Sequence, residues 1–380
     1  MDPHIFLNLK NLFSNTDKLI KLSGGSIAPV LKANAYGHGA CLAAKYLEEK
    51  FEIEQIPFFC VARFQEAIEL RRNNIKKAIL VLSHFTKKNL EEDLGVESKE
   101  ILLTIKDYNA WCLVKEQSKP FKIHLKINTG MNRMGVNCLN TDEINKIITE
   151  IQTSNHTLVG IMSHFSSADG DSKFTNIQLT NFKATIDHIQ DFFLENNWDF
   201  DEIKYFHISN SSGICSLQNS KSYNESLLNL TRPGILLWGV FPSMDEFRKY
   251  KTYGFKQVLK IVAPVVQILN VKKGQCTGYG NTSLFKKDGK IAILPVGYAD
   301  GLPRLENLRF IANNKEYFSV GKVSMDTVAI DLGNELEIDY QSKFIFFNNP
   351  EEIYQYSTLR NTITYDLLCS LGQRLAIKCS

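Results

Sequence analysis

The sequence predicts an α/β protein in which an N-terminal (β/α)8 barrel of the TIM type is followed by a mostly β C-terminal domain. Over the first two thirds of the chain, short apolar runs alternate with longer charged stretches that have helical spacing. After Phe241-Pro242 the helical spacing gives way to short strands separated by turns. We place the boundary between the two domains after residue 245, which gives domains at 1–245 and 246–380.

The barrel prediction depends on the number of strand candidates in the first part of the chain. In chain order they are Ala28–Ala33, Phe58–Ala62, Ala78–Leu82, Ile101–Ile105, Lys122–Asn128, Leu158–His164, Tyr205–Ser209 and Leu227–Thr231. Helix candidates lie between most of them, at Cys41–Phe51, Phe64–Arg72, Lys87–Leu94, Thr141–Thr153 and Lys173–Asn196. An open doubly wound sheet usually has fewer strands, so this number favours a closed barrel.

The strand around Lys126 indicates which side chains face the barrel interior. Phe121, Ile123, Leu125 and Ile127 alternate with Lys122, His124, Lys126 and Asn128. In a barrel the apolar set should pack outward on helices, so Lys126 and Asn128 should point inward near the carboxyl end, where barrel active sites lie. The alternative is an exposed edge strand.

The C-terminal domain shows hairpin signals. Strands are expected at Val258–Val271, after Asp288-Gly289, on either side of Asn313-Asn314, and in two later segments, Val323–Leu332 and Phe344–Phe347. The segment Tyr354–Leu375 has partly helical spacing.

Charge and composition exclude several classes of protein. The net charge is only +3, from 44 Lys and Arg against 41 Asp and Glu, so nucleic acid is not an expected partner. No apolar run approaches the ~18 residues needed to cross a bilayer, and Met1-Asp2-Pro3-His4 does not begin a secretory signal. The eight cysteines form no C-x-x-C pair and the histidines show no paired metal spacing. We therefore expect a cytoplasmic protein without a metal site or a membrane partner.

One strand-end lysine and a series of motifs indicate the chemistry. Lys32 ends the first strand candidate, where desolvation favours the neutral, nucleophilic amine that forms Schiff bases. A surface lysine before a loop is the alternative. The string around Lys32, Val-Leu-Lys-Ala-Asn-Ala-Tyr-Gly-His-Gly, resembles the pyridoxal-phosphate attachment segment of alanine racemases. Other motifs of that family follow in matching order: Lys126–Gly135, Ser163–Asp169, His207–Ser211, Arg232–Gly239, Gly278–Thr282, Pro295–Gly301, Gly321–Asp326 and Thr362–Tyr365.

The resemblance implies pyridoxal 5′-phosphate as cofactor, held by Lys32 as an internal aldimine. By the same resemblance the other cofactor-binding residues are Tyr36, His164, Asn210, Ser211, Arg232, Gly234, Ile235 and Tyr365. Arg232 is implied to face the pyridine nitrogen. Because arginine only donates hydrogen bonds and keeps its proton, it would leave that nitrogen unprotonated and favour simple reprotonation of the substrate over decarboxylation.

Racemisation needs a proton removed from one face of Cα and returned to the other, which requires two groups. Lys32 is one, and the resemblance makes Tyr279 the other. In the family this tyrosine enters the barrel mouth of the other subunit, so the resemblance implies a homodimer with shared active sites.

The resemblance also implies a substrate site made of Arg133, Tyr298 and Met325. Lys126 aligns with a lysine that is often carbamylated in the family, which would supply an anion to position Arg133. The alternative is an unmodified lysine paired with an acid. Asn128 departs from the family, which usually has aspartate there, so the electrostatics around Arg133 differ.

The function implied is the interconversion of L- and D-alanine, which supplies D-alanine for peptidoglycan. Two other functions are weighed against it. A barrel-type decarboxylase of basic amino acids would be disfavoured by Arg232. A non-catalytic pyridoxal-phosphate carrier would be disfavoured by a C-terminal domain that carries Tyr279, Tyr298 and Met325.

Overall fold

The computed structural model of the protein describes residues 2–91, 101–217, 227–281, 283–335, 337–372 and 374–380. The chain packs into two compact units. The barrel unit comprises residues 15–35 and 40–237, and the β unit comprises residues 1–14, 36–39 and 238–380. The two units are groups of residues that pack together and do not test the domain boundary, so the boundary after residue 245 stays a prediction.

The strands are, in chain order, β1 His4–Leu7, β2 Phe58–Arg63, β3 Ala78–His84, β4 Ile101–Ile105, β5 Lys122–Asn128, β6 Val136–Asn137, β7 Thr157–Met162, β8 Tyr205–His207, β9 Leu259–Pro264, β10 Gln267–Val271, β11 Cys276–Thr277, β12 Ser283–Leu284, β13 Gly289–Leu294, β14 Arg309–Ala312, β15 Lys315–Ser319, β16 Val328–Gly333, β17 Lys343–Phe346 and β18 Ala376–Cys379. The α-helices are α1 Leu9–Leu22, α2 Ala40–Lys50, α3 Phe64–Arg72, α4 Lys87–Glu91, α5 Tyr108–Lys115, α6 Thr141–Gln152, α7 Ser172–Glu195, α8 Ser211–Leu217, α9 Met244–Tyr250, α10 Pro350–Leu359 and α11 Thr364–Cys369.

The barrel unit contains a curled parallel sheet in the order β2-β3-β4-β5-β7-β8, with β6 paired to β5. The predicted fold class is confirmed. Two of the eight predicted strands, residues 28–33 and 227–231, are wrong, because these segments do not form strands. They take part only in the isolated bridges Ile27–Thr231 and Val30–Cys60. Pro29 has no N–H to donate to a ladder, and a left-handed turn follows Lys32.

Backbone hydrogen bonds nevertheless continue the sheet round the barrel unit through these two segments. The N–H of Asn229 donates to Phe206, that of Ala28 to Thr231, and that of Leu31 to Cys60. The path therefore runs from β8 through 229–231 and 28–31 back to β2, which closes the ring in the way the barrel prediction requires.

The helices of the barrel unit form because apolar residues recur at helical spacing and polar residues cap the ends. In α6, Ile144, Ile147, Ile148 and Ile151 are buried on one face, and the Asn140 side chain accepts a hydrogen bond from the backbone N–H of Glu143 at the N-terminus. The predicted helix 87–94 is observed as Lys87–Glu91, and its residues 92–94 lie outside the described part of the chain.

The interior of the barrel unit is filled by side chains from many strands. A buried cluster contains Ala28, Val30, Phe58, Cys60, Leu80, Leu102, Val159, Met162 and Leu230. The ring of His124 lies 5.3 Å from that of Phe58, so the polar face of β5 is on the interior side. Lys126 shares that face and is only 5% exposed, as predicted.

The β unit contains a nine-stranded sheet in the order β10-β13-β16-β15-β14-β17-β9-β1-β18. The hairpin β14–β15 turns at Asn313 and Asn314, whose φ angles of 49° and 60° suit a two-residue turn. The predicted strand Val258–Val271 is two strands, β9 and β10, separated after Pro264. Strand β1 lies between β9, to which it is antiparallel, and β18, to which it is parallel.

Among the described helices, none combines the length and the apolarity that a bilayer crossing requires.

Candidate active site

The predicted Schiff-base lysine, Lys32, leads directly into an unusual left-handed turn. The φ angles of Ala33, Asn34, Ala35 and Tyr36 are 53°, 51°, 56° and 55°. This conformation is unfavourable for residues with a Cβ, by roughly 1–2 kcal/mol each, so it requires support from its surroundings. Part of that support is local, because the side chain of Asn34 accepts the N–H of Ala40 at 2.8 Å.

The carboxylate of Glu66 gives the turn its second support. One oxygen accepts the N–H of Ala33 at 2.7 Å. The other accepts the N–H groups of Ala62 and Arg63, at 2.8 and 2.9 Å, where β2 ends and α3 begins. A single carboxylate thus joins the residue after Lys32 to the neighbouring strand, and charge-assisted bonds of this kind are among the stronger ones.

A group of cations gathers at the carboxyl ends of the barrel strands. The pKa of Lys126 is lowered to about 7, first by burial and then by the charges of Arg232, Arg133, Lys32 and Lys106. Every charged group that shifts this amine is a cation. The site therefore favours a neutral amine at Lys126 and attracts anions.

Arg133 lies in a loop that Asn128 holds in shape. The side-chain oxygen of Asn128 accepts the N–H groups of Gly130 and Asn132, at 3.1 and 3.0 Å. Gly135 closes the loop with φ +121°, and a Cβ there would lie 2.7 Å from the backbone nitrogen of Asn128. An aspartate could accept the same two bonds, so asparagine keeps the loop but removes its negative charge.

Arg232 is buried and held by several acceptors. Its guanidinium donates to the backbone oxygens of Ser163 at 2.5 Å and His207 at 3.0 Å, and it also contacts Nδ1 of His207 and, at 3.3 Å, Nδ1 of His164. Burial lowers the pKa of His164 and of His207 well below the usual range, and the charge of Arg232 lowers both further. Both rings are therefore neutral and Arg232 keeps its charge.

A third histidine, His124, extends the Arg232–His207 contact into the barrel interior. Nδ1 of His124 lies 2.9 Å from Nε2 of His207. Because Nδ1 of His207 accepts from Arg232, its proton must be on Nε2, and His124 must accept that proton at Nδ1. The pKa of His124 is lowered to about 3 by burial and by Arg232, so it too is neutral.

Hydrogen-bonding groups converge after β8 and after Arg232. The hydroxyl of Ser211 accepts the N–H of Gly234 at 3.1 Å and that of Leu236 at 3.4 Å. The Asn210 side chain donates to the Phe165 carbonyl at 3.2 Å and lies 3.5 Å from Nε2 of His164. Ser211, Arg232, Gly234 and Ile235 are all buried. These predicted cofactor-binding residues of the barrel unit thus lie together near the carboxyl ends of the strands.

The remaining predicted site residues lie in the β unit. The rings of Tyr36 and Tyr365 are 5.8 Å apart. Tyr298 and Met325 are on adjacent loops, joined by the N–H of Tyr298 donating to Ser324 and that of Ala299 donating to Met325, both at 3.0 Å. Tyr279 begins a short 3₁₀ turn, Tyr279–Asn281, and its side chain is exposed.

Sequence reasoning assigns no role to Glu66, Lys106, His124 or His207. Lys106 follows β4 at its carboxyl end, and this position could have identified it. His124 and His207 lie on inward faces of their strands, which period-two alternation indicates for His124 but not for the three-residue strand β8. Glu66 lies in the first turn of a helix, where an acid is common, and nothing in the sequence relates it to Lys32.

Comparisons with known proteins agree over nearly the whole chain. The sequence matches two family models, "Alanine racemase, N-terminal domain" over residues 7–242 and "Alanine racemase, C-terminal domain" over residues 258–379. The alanine racemase of Staphylococcus carnosus is 30% identical, over 98% of this chain and 93% of the relative. That of Helicobacter pylori strain G27 is 32% identical, over 97% of this chain and 95% of the relative.

Solved structures show the same likeness. An alanine racemase from Clostridium difficile 630 superposes with a TM-score of 0.87 at 27% identity, covering 100% of this chain and 96% of that one. A complex of that protein with cycloserine gives 0.84 at 26% identity, with the same coverage. The alanine racemase from E. faecalis gives 0.82 at 25% identity, covering 100% of this chain and 98% of that one.

Proposed function

The chain belongs to the alanine racemase family, and from this membership we propose that it interconverts L- and D-alanine with bound pyridoxal 5′-phosphate, using Lys32 and Tyr279 as its two bases. The observation that carries the proposal is the cation group around Lys126, at the strand ends where Lys32 lies. The cofactor and the substrate both carry anionic groups, and a site of this charge suits them.

The residues of the barrel unit fit the cofactor. Ser209 carries a buried hydroxyl oxygen that has no partner among the described residues. The hydroxyl of Ser211 lies two residues further along the chain, with the N–H groups of Gly234 and Leu236 directed at it. Serine hydroxyls and backbone N–H groups are the donors that phosphate groups require. We assign the phosphate to Ser211, Gly234 and Ile235, with Asn210 and His164 beside them and Tyr36 and Tyr365 contributing hydroxyls.

Pyridoxal phosphate, when bound, accepts the electrons of the broken Cα–H bond of the amino acid. Lys32 would attach it covalently through Nζ and, once released by substrate, would move a proton at one face of Cα. Tyr279 would move a proton at the other face with its phenolic oxygen. Two groups are needed because one rigid base cannot reach both faces.

Arg232 would act on the pyridine ring through its charge. Since His124, His164 and His207 are all neutral, the guanidinium is the charged group among them, and it has only donors. A proton on a ring nitrogen facing it would be repelled. This favours return of a proton to Cα and argues against a decarboxylase.

Lys126 is proposed to be carbamylated. Only the neutral amine can attack carbon dioxide, forming an N–C bond and releasing a proton, and a pKa of about 7 makes the neutral form abundant near neutral pH. The carbamate would place an anion among the crowded positive charges and position Arg133. Arg133 would then bind the substrate carboxylate, with the Met325 N–H and the Tyr298 hydroxyl as further contacts.

The setting of the reaction is also proposed from the family. The protein would act in the cytoplasm as a homodimer whose active sites are shared between subunits, with domains at 1–245 and 246–380. Its product D-alanine would supply peptidoglycan synthesis.

The first test follows the racemisation of L-alanine and D-alanine by circular dichroism. K32A should lose both the cofactor absorbance and the activity. Retention of either would overturn the role of Lys32.

The second test separates the two bases. Y279F should lose racemisation, while the enantiomer whose Cα hydrogen faces Lys32 should still exchange that hydrogen with solvent. Y340F, which alters another exposed tyrosine of the β unit, is the matched control and should be unchanged. Full racemisation by Y279F would refute the two-base mechanism.

A further inference from the structure

Two loops of the β unit carry proposed substrate contacts, and a third segment braces them. Tyr298 lies at the start of the 3₁₀ turn Tyr298–Asp300, and Met325 lies in the loop before β16. A Cβ at Gly297 would lie 2.2 Å from the carbonyl oxygen of Met325, so only glycine allows this approach. The position of each loop therefore depends on the other.

Asp300 holds the turn that presents Tyr298. It is 2% exposed, and one of its carboxylate oxygens accepts the N–H of Gly297 at 2.8 Å. Its backbone oxygen accepts the N–H of Gly372 at 3.1 Å, which ties the turn to the C-terminal segment. A buried carboxylate needs a counter-charge as well as hydrogen bonds.

Arg374 supplies that counter-charge and reaches the second loop at the same time. Its Nε lies 3.1 Å from the carboxylate of Asp300, and its Nη1 lies 2.8 Å from that of Asp326, the residue after Met325. The planar guanidinium presents two nitrogens in a fixed relation, which a single ammonium cannot do. One side chain thus joins the Tyr298 turn to the Met325 loop.

We propose that Arg374 is a positioning residue for substrate, acting through Asp300 on Tyr298 and through Asp326 on Met325. The inference rests on the proposed function, because it takes Tyr298 and Met325 as contacts of the substrate carboxylate. Those contacts hold a group that does not change during proton transfer, so loosening them weakens ground state and transition state equally. Loss of the Arg374 contacts should therefore raise KM and leave kcat and cofactor content nearly unchanged.

The β unit offers a matched control. Lys315 also joins two acids, with Nζ 2.9 Å from Glu335 and 3.0 Å from Glu337. It lies in β15, and no contact relates it to Tyr298 or Met325 among the described residues. K315A removes one positive charge and two ion pairs, as R374A does, without touching the two loops.

The test measures kcat and KM for both alanine enantiomers in the cofactor-loaded enzyme. We expect R374A to raise KM about tenfold with kcat within about threefold, R374K and D326N to raise it about threefold, and K315A to leave it unchanged. The KM of the double variant R374A/D326N should be no higher than that of R374A, since R374A already removes the ion pair between Arg374 and Asp326. The ratio of the KM values of R374A and wild type should also shrink as potassium chloride is raised, because Arg374 and Asp326 are half-exposed and screened by salt.

The outcomes separate this inference from the proposed function. A wild-type protein that does not racemise alanine contradicts the proposed function itself. A wild-type protein that does, with an unchanged KM in R374A, overturns the role of Arg374 alone. If R374A does not fold, the proposal is judged from R374K and D326N, and a wild-type KM in both variants overturns it. A KM in K315A that rises as much as in the Arg374 variants also overturns it.

Discussion

Replacing Lys126 by methionine should stabilise the folded protein, and more so at low pH. The amine is buried among cations, and its pKa falls from an ordinary 10.5 to about 7. At about 1.4 kcal/mol for each tenfold change in proton affinity, the charged amine costs the folded state about 5 kcal/mol. Methionine has nearly the same length and carries no charge.

The sign of the pH dependence follows from the two protonation states. Below about pH 7 the lysine is charged in both the folded and the unfolded chain, and the folded state bears the whole cost. Between pH 7 and 10.5 only the unfolded chain holds the proton, so wild-type stability rises with pH. The advantage of K126M should therefore be about 5 kcal/mol at pH 6, about 2 kcal/mol at pH 9 and near zero above 10.5.

Urea unfolding of both proteins at several pH values, at one protein concentration and in buffers free of carbon dioxide, measures this difference. K122M is the control, because Lys122 lies on the same strand but is exposed, and its stability should match wild type throughout. An advantage of K126M that does not vary with pH would refute the reasoning. Adding bicarbonate should shrink the advantage, since carbamylation removes the buried positive charge.

Three further predictions concern residues that hold the site. E66A should lower the free energy of unfolding, measured with urea, by about 2 kcal/mol and weaken the retention of pyridoxal phosphate, because it leaves the N–H of Ala33 and those at the start of α3 without their acceptor. Cofactor retention equal to wild type would contradict the role of Glu66. G160A should cost about 1–3 kcal/mol, since its Cβ would lie 2.3 Å from Nδ1 of His124; wild-type stability would show that the ring moves freely. His124 should stay neutral down to about pH 3, and a nitrogen-15 NMR titration that finds it charged at pH 5 would overturn the proton assignment.

Much of the fold could be predicted because apolar periodicity is local. The strand predicted at Ile101–Ile105 and that at Lys122–Asn128 are observed with the same bounds. The helix predicted at Lys173–Asn196 differs by one residue at each end from Ser172–Glu195. The hairpin at Asn313 and Asn314 is predictable because two asparagines tolerate positive φ.

The errors arise where one backbone property overrides an apolar run. The segment 28–33 has the composition of a strand, yet Pro29 has no backbone N–H to donate and a left-handed turn begins at Ala33. Val258–Val271 is largely apolar, and Pro264 divides it. Strand β1 is missing from the prediction, because its partners are more than 250 residues away and four residues carry little pattern.

The candidate site residues could be named from the sequence, and their roles stay predictions, whereas the contacts that support them could not be predicted. Lys32, Arg133 and Arg232 stand out because their motifs resemble those of a family. Glu66 and Arg374 act through contacts between segments distant in sequence, as in the bond from Glu66 to Ala33. No spacing rule relates such pairs, so their roles depend on the folded structure.

The position of β1 has a consequence for how the protein is made. His4–Leu7 needs Leu259–Pro264 on one side and Ala376–Cys379 on the other. At about 5–20 residues per second, a ribosome takes roughly 13–50 s to pass from β1 to β9. During that interval β1 has neither neighbouring strand. By the end of the interval, the barrel unit, residues 15–35 and 40–237, has been synthesised completely. The apolar side chains of Ile5 and Leu7, buried in the finished sheet, are then open to chaperones or to wrong pairing with other nascent chains.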